Sequence, residues 1–253
     1  GEVTFVTSLG NDIYTEVLKK HFKNENICTD YIIQDQNNPT GIALIFVSNN
    51  GENYIAVAPG SNYSLSPDSI ASFSQVISET DIVVMQAEIP YETIKEVALL
   101  TKQKGKKILF NPAPACPIDT ELMDLIDILV VNEVEASLIS QIEYNGKNLK
   151  EIAQVLINKG AKNVVITLGS NGVYMKNKKE EVNVPSFKVN AIDTVAAGDT
   201  FCGALAVVLA KNGIDREALN FANAAAAITV TRSGAQVSIP TLEEVRKFMN
   251  NNK

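Results

Sequence analysis

Residues 81–110 read DIVVMQAEIPYETIKEVALLTKQKGKKILF, and the alternation within them indicates the fold class. A short β-branched run at 82–85 is followed by a longer segment at 91–104 with the pattern of a helix, and then by a second apolar run at 108–110. Short apolar runs without polar alternation are typical of strands buried on both faces of a parallel sheet. The stretch therefore predicts a strand–helix–strand unit with parallel strands.

The same alternation continues on both sides of this unit. Further buried strands are predicted at 128–131 and 164–167, and a strand at 3–8 followed by a helix at 12–22 resembles another such unit. The remaining helices are predicted at 133–140, 149–159, 198–212, 215–231 and 242–249. This order predicts an α/β protein with a doubly wound, Rossmann-like, mostly parallel sheet flanked by helices. Because no repeat or linker is visible, a single domain over 1–253 is the simplest interpretation.

Two segments interrupt the alternation and predict antiparallel hairpins. Apolar runs at 41–48 and 54–58 flank a polar turn at 49–52. Runs at 173–176 and 181–184 flank a second polar turn. Apolar runs on either side of a short Asn- and Gly-containing turn are typical of hairpins.

Composition narrows the class of protein. The 253 residues are 45% hydrophobic, and the net charge of −7 is not gathered into long blocks, which argues against nucleic acid and anionic membranes as partners. No apolar run approaches the roughly 20 residues of a membrane span. Cys28, Cys116 and Cys202 lack CxxC spacing and predict reduced thiols in a cytoplasmic protein. His21 is the one histidine, so acid–base chemistry must fall to carboxylates.

Polar residues follow four of the predicted parallel strands, at 86–88, 111–114, 132–133 and 168–170. Ligands of open α/β sheets bind beyond the carboxyl ends of the strands, so these residues can share one crevice. Each also has a structural explanation. Glu88 can be a solvated loop acid, and Asn111 can belong to a turn. Asn132 can cap a helix, with Glu135 completing a capping box.

The segment 193–205, DTVAAGDTFCGAL, carries the clearest chemistry. The small residues Ala196, Ala197 and Gly198 precede an apolar helix, so a phosphate can approach the exposed N–H groups and the helix dipole. Asp199 lies in the first turn, where its carboxylate can take the proton of an acceptor hydroxyl during phosphoryl transfer. Asp199 can also be a simple helix cap. The whole thirteen-residue string favours the catalytic interpretation.

This string resembles the second signature of the ribokinase-type (PfkB) carbohydrate kinases, D-T-x-x-A-G-D-x-F. Similar stretches lie at 41–47, 85–88, 111–114, 132–136, 166–172, 224–227 and 231–236. The resemblance, which covers the chain almost end to end, implies an ATP-dependent sugar kinase with a small β lid that includes the hairpin at 41–58. The leading implied reaction converts D-ribose to D-ribose 5-phosphate, with ATP, Mg²⁺ and K⁺.

The resemblance also implies roles for individual residues. Asp199 would be the general base, the amides of Ala197, Gly198 and Asp199 the anion hole, and Glu88 a sugar ligand. Asn132 and Glu135 match an N-x-x-E motif that bears on the phosphates and Mg²⁺. The nucleotide pocket would include Thr167, Gly169, Ser170, Asn171 and Gly172, with Asn223 beside the adenine. The K⁺ ligands, several of them backbone carbonyls, would be Asp193, Val195, Thr229, Arg232, Gly234 and Ser238.

The sequence departs from the family pattern at its start. The family opens with a strand, a lid segment and a glycine-rich first signature of the type G-G-K-G-A-N, and nothing like these precedes Gly1. We expect an ordinary kinase with an omitted or truncated N-terminal segment, rather than a naturally shortened protein, and hence an incomplete lid. Cys202 replaces a common Asn, for which we expect a packing difference. Lid-mediated dimers in the family imply a homodimer.

Three other interpretations remain open. A kinase of another sugar, such as deoxyribose, or of a nucleoside would use the same scaffold. An inactive nucleotide-binding module would explain the missing first signature. A dinucleotide oxidoreductase is disfavoured because no G-x-G-x-x-G follows the first strand.

Overall fold

The structure is a computed structural model that describes residues 1–47 and 53–252. In chain order its strands are β1 (Val3–Thr4), β2 (Thr7–Leu9), β3 (Ile27–Cys28), β4 (Ile32–Gln34), β5 (Ile42–Val47), β6 (Asn53–Ala58), β7 (Ile82–Met85), β8 (Lys107–Phe110), β9 (Ile128–Asn132), β10 (Asn163–Thr167), β11 (Val173–Asn177) and β12 (Glu181–Val184). Its α-helices are α1 (Ile13–Asn24), α2 (Pro67–Ala71), α3 (Ser74–Glu79), α4 (Tyr91–Gln103), α5 (Thr120–Leu125), α6 (Glu133–Ser140), α7 (Leu149–Asn158), α8 (Ala197–Lys211), α9 (Arg216–Thr229) and α10 (Leu242–Asn251).

Six strands form the main sheet, in the order β12-β11-β10-β9-β8-β7. Neighbouring strands from β7 to β10 are parallel, whereas β11 and β12 are antiparallel to their neighbours. The predicted doubly wound, mostly parallel α/β sheet is therefore confirmed, and the hairpin predicted at 173–184 forms its antiparallel edge.

The main sheet is covered on both faces, which explains the uninterrupted apolar runs of its strands. In β8, Ile108 and Phe110 pack into one hydrophobic cluster with residues of α4 to α7. Leu109, between them, packs into another cluster with residues of α8 and α9. All three side chains are fully buried. Because successive side chains of a strand point to opposite faces, only a strand covered on both sides needs apolar residues throughout.

The front of the chain differs in detail from its prediction as one strand at 3–8. Two short strands, β1 and β2, pair in parallel with β3 and β4, and among the described residues neither joins the main sheet. The segment that contains β3 and β4 makes a turn between these two strands, where the N–H of Ile32 donates to the carbonyl of Thr29. The ladder therefore breaks at that level, which divides the predicted strand in two.

The hairpin predicted at 41–58 is present as the antiparallel pair of β5 and β6. Its predicted turn at 49–52 lies outside the described residues. The base of the hairpin is held by Asp12, which accepts hydrogen bonds from the N–H and hydroxyl of Thr40. No helix in the described parts of the chain is long and apolar enough to cross a membrane. The single domain over 1–253 stays a prediction.

Candidate active site

The N-terminus of α8 is open. Ala196, just before it, has a φ of +62°, the left-handed conformation that a non-glycine residue rarely adopts. No side chain of the residues that the structure describes caps this helix end. The N–H of Ala197 donates to the carbonyl of Thr194 at 3.3 Å and that of Thr200 to Ala196 at 2.9 Å. Of the three amides predicted as an anion hole, only those of Gly198 and Asp199 thus lack an acceptor among the described residues, because the turn engages Ala197.

The space next to Gly198 is open. Apart from its chain neighbours and the backbone of its own helix, a Cβ placed on Gly198 would meet no atom of the described residues within 4 Å. This glycine therefore leaves room for a ligand and does not relieve a clash within the protein. Free N–H groups at an open helix start favour an anion, because the helix dipole adds to the hydrogen bonds.

A cavity of about 880 Å³ opens in front of this helix end. It lies at the carboxyl ends of the parallel strands, where Asn132 at the end of β9 pairs in register with Thr167 at the end of β10. Six of the residues predicted from the sequence line it, namely Asn132, Glu135, Thr167, Gly169, Gly198 and Asp199. The predicted convergence of strand ends is thus seen for β8, β9 and β10, with Asn111 as the contribution of β8.

Asp199 is not a helix cap. The carboxylates of Asp12, Asp119 and Asp215 each accept a hydrogen bond from an N–H in the first turn of their own helices. The carboxylate of Asp199 has no hydrogen-bond partner in the described part of the chain and faces the cavity. Desolvation raises its pKa above the ordinary value for aspartate.

Glu88 follows β7 and does not line the cavity, but its carboxyl group interacts electrostatically with that of Asp199. Desolvation raises the pKa of Glu88, and the negative charge of Asp199 raises it further. The two carboxyl groups are therefore close enough to interact electrostatically. Two neighbouring carboxylates can accept hydrogen bonds from several hydroxyl groups of one ligand.

The capping box predicted at the start of α6 is present. Asn132 Oδ1 accepts the N–H of Glu135, and Glu135 Oε2 accepts the N–H of Asn132, both at 2.8 Å. The box uses one oxygen of each side chain, so the Asn132 amide nitrogen and the second Glu135 oxygen remain available. Burial raises the pKa of Glu135, whose side chain also lines the cavity. The structural and functional interpretations of this pair are therefore compatible.

Only part of the segment 167–172 reaches the cavity. Thr167 and Gly169 line it, whereas Ser170, Asn171 and Gly172 do not. Gly172 has a φ of +97°, and a Cβ there would lie 2.1 Å from the carbonyl oxygen of Val184, so this glycine is required by the fold.

Asn223 is buried in α9 and is likewise absent from the cavity wall. Its amide nitrogen lies 3.4 Å from the carbonyl oxygens of Val184 and Pro185, to which it donates. The side chain therefore fixes the end of β12, and the predicted position beside the adenine stays a prediction.

The predicted cation ligands come from two segments that the fold joins. Asp193 accepts the N–H of Val195 at 2.9 Å through one carboxylate oxygen and that of Gly234 at 3.0 Å through the other. These hydrogen bonds lower its pKa. The hydroxyl of Thr229, at the end of α9, lies 3.1 Å from that of Thr200 in the first turn of α8. The segments 193–195 and 229–238 therefore lie side by side, next to the open helix end.

The donor set there fits a monovalent cation better than a transition metal. The described residues contain no group of three or more His, Cys, Asp or Glu that could hold a metal ion. In the described parts of the chain, the carbonyl oxygens of Val195, Arg232 and Gly234 accept no backbone hydrogen bond. Unused carbonyl oxygens beside one carboxylate are ligands suited to a hard cation of low charge.

Comparison with known proteins identifies the family. The family model described as "pfkB family carbohydrate kinase" matches residues 1–242. The chain belongs to the pfkB carbohydrate kinases. It is therefore a phosphotransferase that acts on a sugar hydroxyl.

Members with similar sequences and structures cover nearly the whole chain of this pfkB kinase. Ribokinase of Staphylococcus aureus is 40% identical over 248 residues, which are 97% of this chain and 82% of that protein. The crystal structure of ribokinase from Thermotoga maritima has a TM-score of 0.87 at 41% identity and covers 98% of this chain and 81% of that one. Arabidopsis thaliana ribokinase, in a structure complexed with ribose and ATP, has a TM-score of 0.87 at 29% identity, with 98% and 82% covered.

Eight further residues line the cavity of this pfkB kinase. Three of them, Asn111, Ala113 and Glu133, belong to the strand ends that were predicted to converge. No role in binding or catalysis was predicted for the other five, which are Val130, Val131, Val134, Thr194 and Cys202. Cys202 is three residues after Asp199 on α8, a spacing that places both on one face of the helix. Its thiol is buried, and burial together with the charges of Asp199 and Glu135 raises its pKa to about 12. A thiol with this pKa stays protonated at neutral pH, as expected for a packing residue.

Proposed function

We propose that this pfkB kinase transfers the γ-phosphoryl group of ATP to D-ribose and forms D-ribose 5-phosphate. The observation that carries the proposal is the open N-terminus of α8, where two N–H groups and a carboxylate, all without a partner among the described residues, lie at one cavity. The ribose and ATP in the Arabidopsis relative support the choice of substrates.

The amides of Gly198 and Asp199 form the anion hole of this mechanism. Phosphoryl transfer spreads negative charge over the oxygens of the moving group, and fixed N–H donors stabilise that charge without reorganisation. The empty space beside Gly198 lets the phosphate reach the backbone. The turn that orders Ala196 and Ala197 fixes the direction of both donors.

Asp199 acts as the general base. Its carboxylate accepts no hydrogen bond from the described residues, so it can accept the proton of the ribose hydroxyl that attacks the phosphoryl group. Desolvation raises its pKa, which makes it a stronger base than an ordinary aspartate. Glu88, whose charge interacts with that of Asp199, holds other hydroxyl groups of the sugar and so orients the attacking one.

The charges of the site support Mg²⁺ as the ion that accompanies ATP. Among the described residues that line the cavity, the charged ones are Glu133, Glu135 and Asp199, and none is basic. A triphosphate would be repelled there unless a divalent cation accompanied it, and Mg²⁺ usually binds through phosphates, water and one or two carboxylates. Asn132 and Glu135 would hold its hydration shell, and the ion would neutralise charge on the phosphates. The segment 167–172 and Asn223 would contact the rest of the nucleotide.

K⁺ would lie between the segments 193–195 and 229–238, which the hydrogen bonds of Asp193 hold together. Its ligands would be Asp193, Val195, Thr229, Arg232, Gly234 and Ser238, mainly through carbonyl oxygens. A bound cation there would add positive potential close to the anion hole.

The hairpin of β5 and β6 is the surface on which we propose that two copies pair. Ile42, Leu44 and Phe46 alternate along β5, so they share one face of the hairpin, and they are 42%, 58% and 61% exposed. Large apolar side chains exposed together are typical of interaction surfaces.

We further propose that this pfkB kinase is located in the cytoplasm, as the prediction of reduced thiols implies.

The proposal is tested by measuring ADP release from MgATP with a panel of sugars and nucleosides, in K⁺ and in tetramethylammonium salts. We expect release that depends on ribose and is stimulated by K⁺. Faster release with deoxyribose or a nucleoside would keep the chemistry and overturn the substrate. ATP binding without turnover on any acceptor would instead favour an inactive nucleotide-binding module.

A further inference from the structure

The loop between α9 and α10 contains three of the proposed K⁺ ligands and is tied to the rest of the site at its middle. Gly234 donates its N–H to Asp193. Near the start of the loop, the N–H of Arg232 donates to the carbonyl of Thr229, and near its end both the N–H and the hydroxyl of Ser238 donate to Ala235. These local bonds shape the two ends separately and do not set the distance between them.

The side chain of Arg232 spans this gap. One terminal nitrogen, Nη2, donates to Glu244 Oε1 at 2.5 Å, and the other, Nη1, lies 3.5 Å from the carbonyl oxygen of Ser238. The guanidinium therefore connects the first part of the loop both to its last part and to the first turn of α10. The planar fork of an arginine suits such a double contact, because its donors are held in fixed directions.

Glu244 is a fixed anchor for this contact. Its second oxygen, Oε2, accepts the N–H of Thr241 at 2.7 Å in the capping box that begins α10. The helix is held against α9 by Val245, which is buried among Ala224, Ala225 and Ile228. The carboxylate thus belongs to a packed element, and the loop is the part that it restrains.

We propose that the Arg232–Glu244 pair is a clasp that sets the spacing of the K⁺-binding carbonyls in this loop. The inference rests on the proposed K⁺ site and adds positioning residues to it. Both side chains are partly exposed, at 34% and 43%, and exposed ion pairs contribute little to global stability. The effect of the clasp should therefore appear in cation binding, with only a small change in stability.

Glu244→Gln is the test variant, because glutamine at this position preserves the capping box while removing the charge that holds Arg232. Arg232→Gln and the double variant complete a double-mutant cycle. Glu121→Gln is the matched control, because it removes a carboxylate from the ion pair between Lys95 of α4 and Glu121 of α5.

The first measurement is the thermal unfolding midpoint, without nucleotide, in KCl and in tetramethylammonium chloride at equal ionic strength. The wild type and Glu121→Gln should be stabilised by K⁺, and Glu244→Gln should lose most of that stabilisation. The second is the K⁺ concentration for half-maximal ADP release, which should rise roughly fivefold or more in Glu244→Gln, with maximal rate kept. The double variant should be no worse than either single variant, since both remove the same interaction.

Two results separate the failure of this inference from that of the kinase proposal. Equal stabilisation by K⁺ in the wild type and Glu244→Gln, with an unchanged half-maximal K⁺ concentration, would overturn the clasp and leave the kinase intact. A wild type that does not respond to K⁺ in either measurement would overturn the cation site and the clasp together, while ribose-dependent ADP release would still support the kinase.

Discussion

At the scale of single residues, the site depends on where α8 begins. Ala196 in the left-handed conformation makes Ala197 the first residue of the helix, and the N–H groups of Gly198 and Asp199 have no acceptor in the described part of the chain. A helix that began one residue earlier or later would present different donors. The family string indicated that an anion binds here, but only the backbone shows which amides are free.

Gly198→Ala tests the approach of the phosphate to these amides. The methyl group would occupy empty space, and alanine favours a helix by up to about 1 kcal/mol over glycine, so the melting temperature should stay the same or rise. Because the methyl would stand where the phosphate lies, kcat/KM for ATP should fall roughly tenfold or more, a loss of about 1.4 kcal/mol in transition-state binding.

Gly203→Ala is the control for this experiment. It lies in the same helix and also has nothing within 4 Å of its Cβ position, so it should show the same gain in stability with unchanged kinetics. Equal kinetics for both variants would show that no phosphate contacts the backbone at Gly198.

Asp199→Asn should make the protein more stable at neutral pH. Burial raises the pKa of Asp199 in the folded state, so folding favours its protonated form. This contribution to stability is complete below the unfolded pKa and is lost as the pH rises through the folded value. Asparagine avoids that loss. Urea unfolding at several pH values should therefore show an advantage for the variant that grows from acidic to neutral pH, and a constant difference would contradict the desolvation of Asp199.

At the scale of elements, strands covered on both faces were predictable and short ones were not. The predicted bounds of β7, β8, β9 and β10 agree with the structure within one residue, because continuous apolar runs mark them clearly. The strands β1 to β4 have two or three residues each, too few for a periodic pattern. The short helices α2, α3 and α5 were missed for the same reason, since burial of side chains such as Ile70, Val76 and Leu122 stabilises them.

The candidate site was predictable to a similar extent. Strand ends and the string at 193–205 placed its residues along the chain, because such positions are fixed by topology. Side-chain directions were not predictable. Asn223 donates to the end of β12, and Glu88 lies beside the cavity, because packing around each residue sets its rotamer. The role of Arg232 as a link to α10 also required the folded chain.

The turn between β10 and β11 should be sensitive to Gly172 and less so to Gly169. Both have a positive φ, but a Cβ on Gly172 would lie 2.1 Å from the carbonyl oxygen of Val184, whereas one on Gly169 would meet nothing within 4 Å. Gly169→Ala should cost about 1 kcal/mol from backbone strain alone. Gly172→Ala should cost clearly more, by at least about 1 kcal/mol, since β12 must shift. Urea unfolding compares the two, and equal losses would contradict the close approach.

At the scale of the whole molecule, the main sheet brings distant segments to one edge. The carboxyl ends of β8, β9 and β10 meet the start of α8, although Phe110 at the end of β8 and Ala197 at the start of α8 are 87 positions apart in the sequence. The residues along this edge supply carboxylates and amides but no basic side chain among the described residues of the cavity wall. The fold therefore supplies the anion hole and the base, and cations must supply the rest of the positive charge.

The most direct test of Asp199 as the general base is the steady-state rate of ribose-dependent ADP release. The rate is compared between the wild type and Asp199→Asn at saturating MgATP and K⁺. Loss of a general base lowers kcat by roughly 10² to 10⁴, so we expect a fall in that range while the variant remains folded and binds ATP. A variant that keeps the wild-type rate would contradict the assignment of Asp199, and with it the mechanism proposed for this cavity.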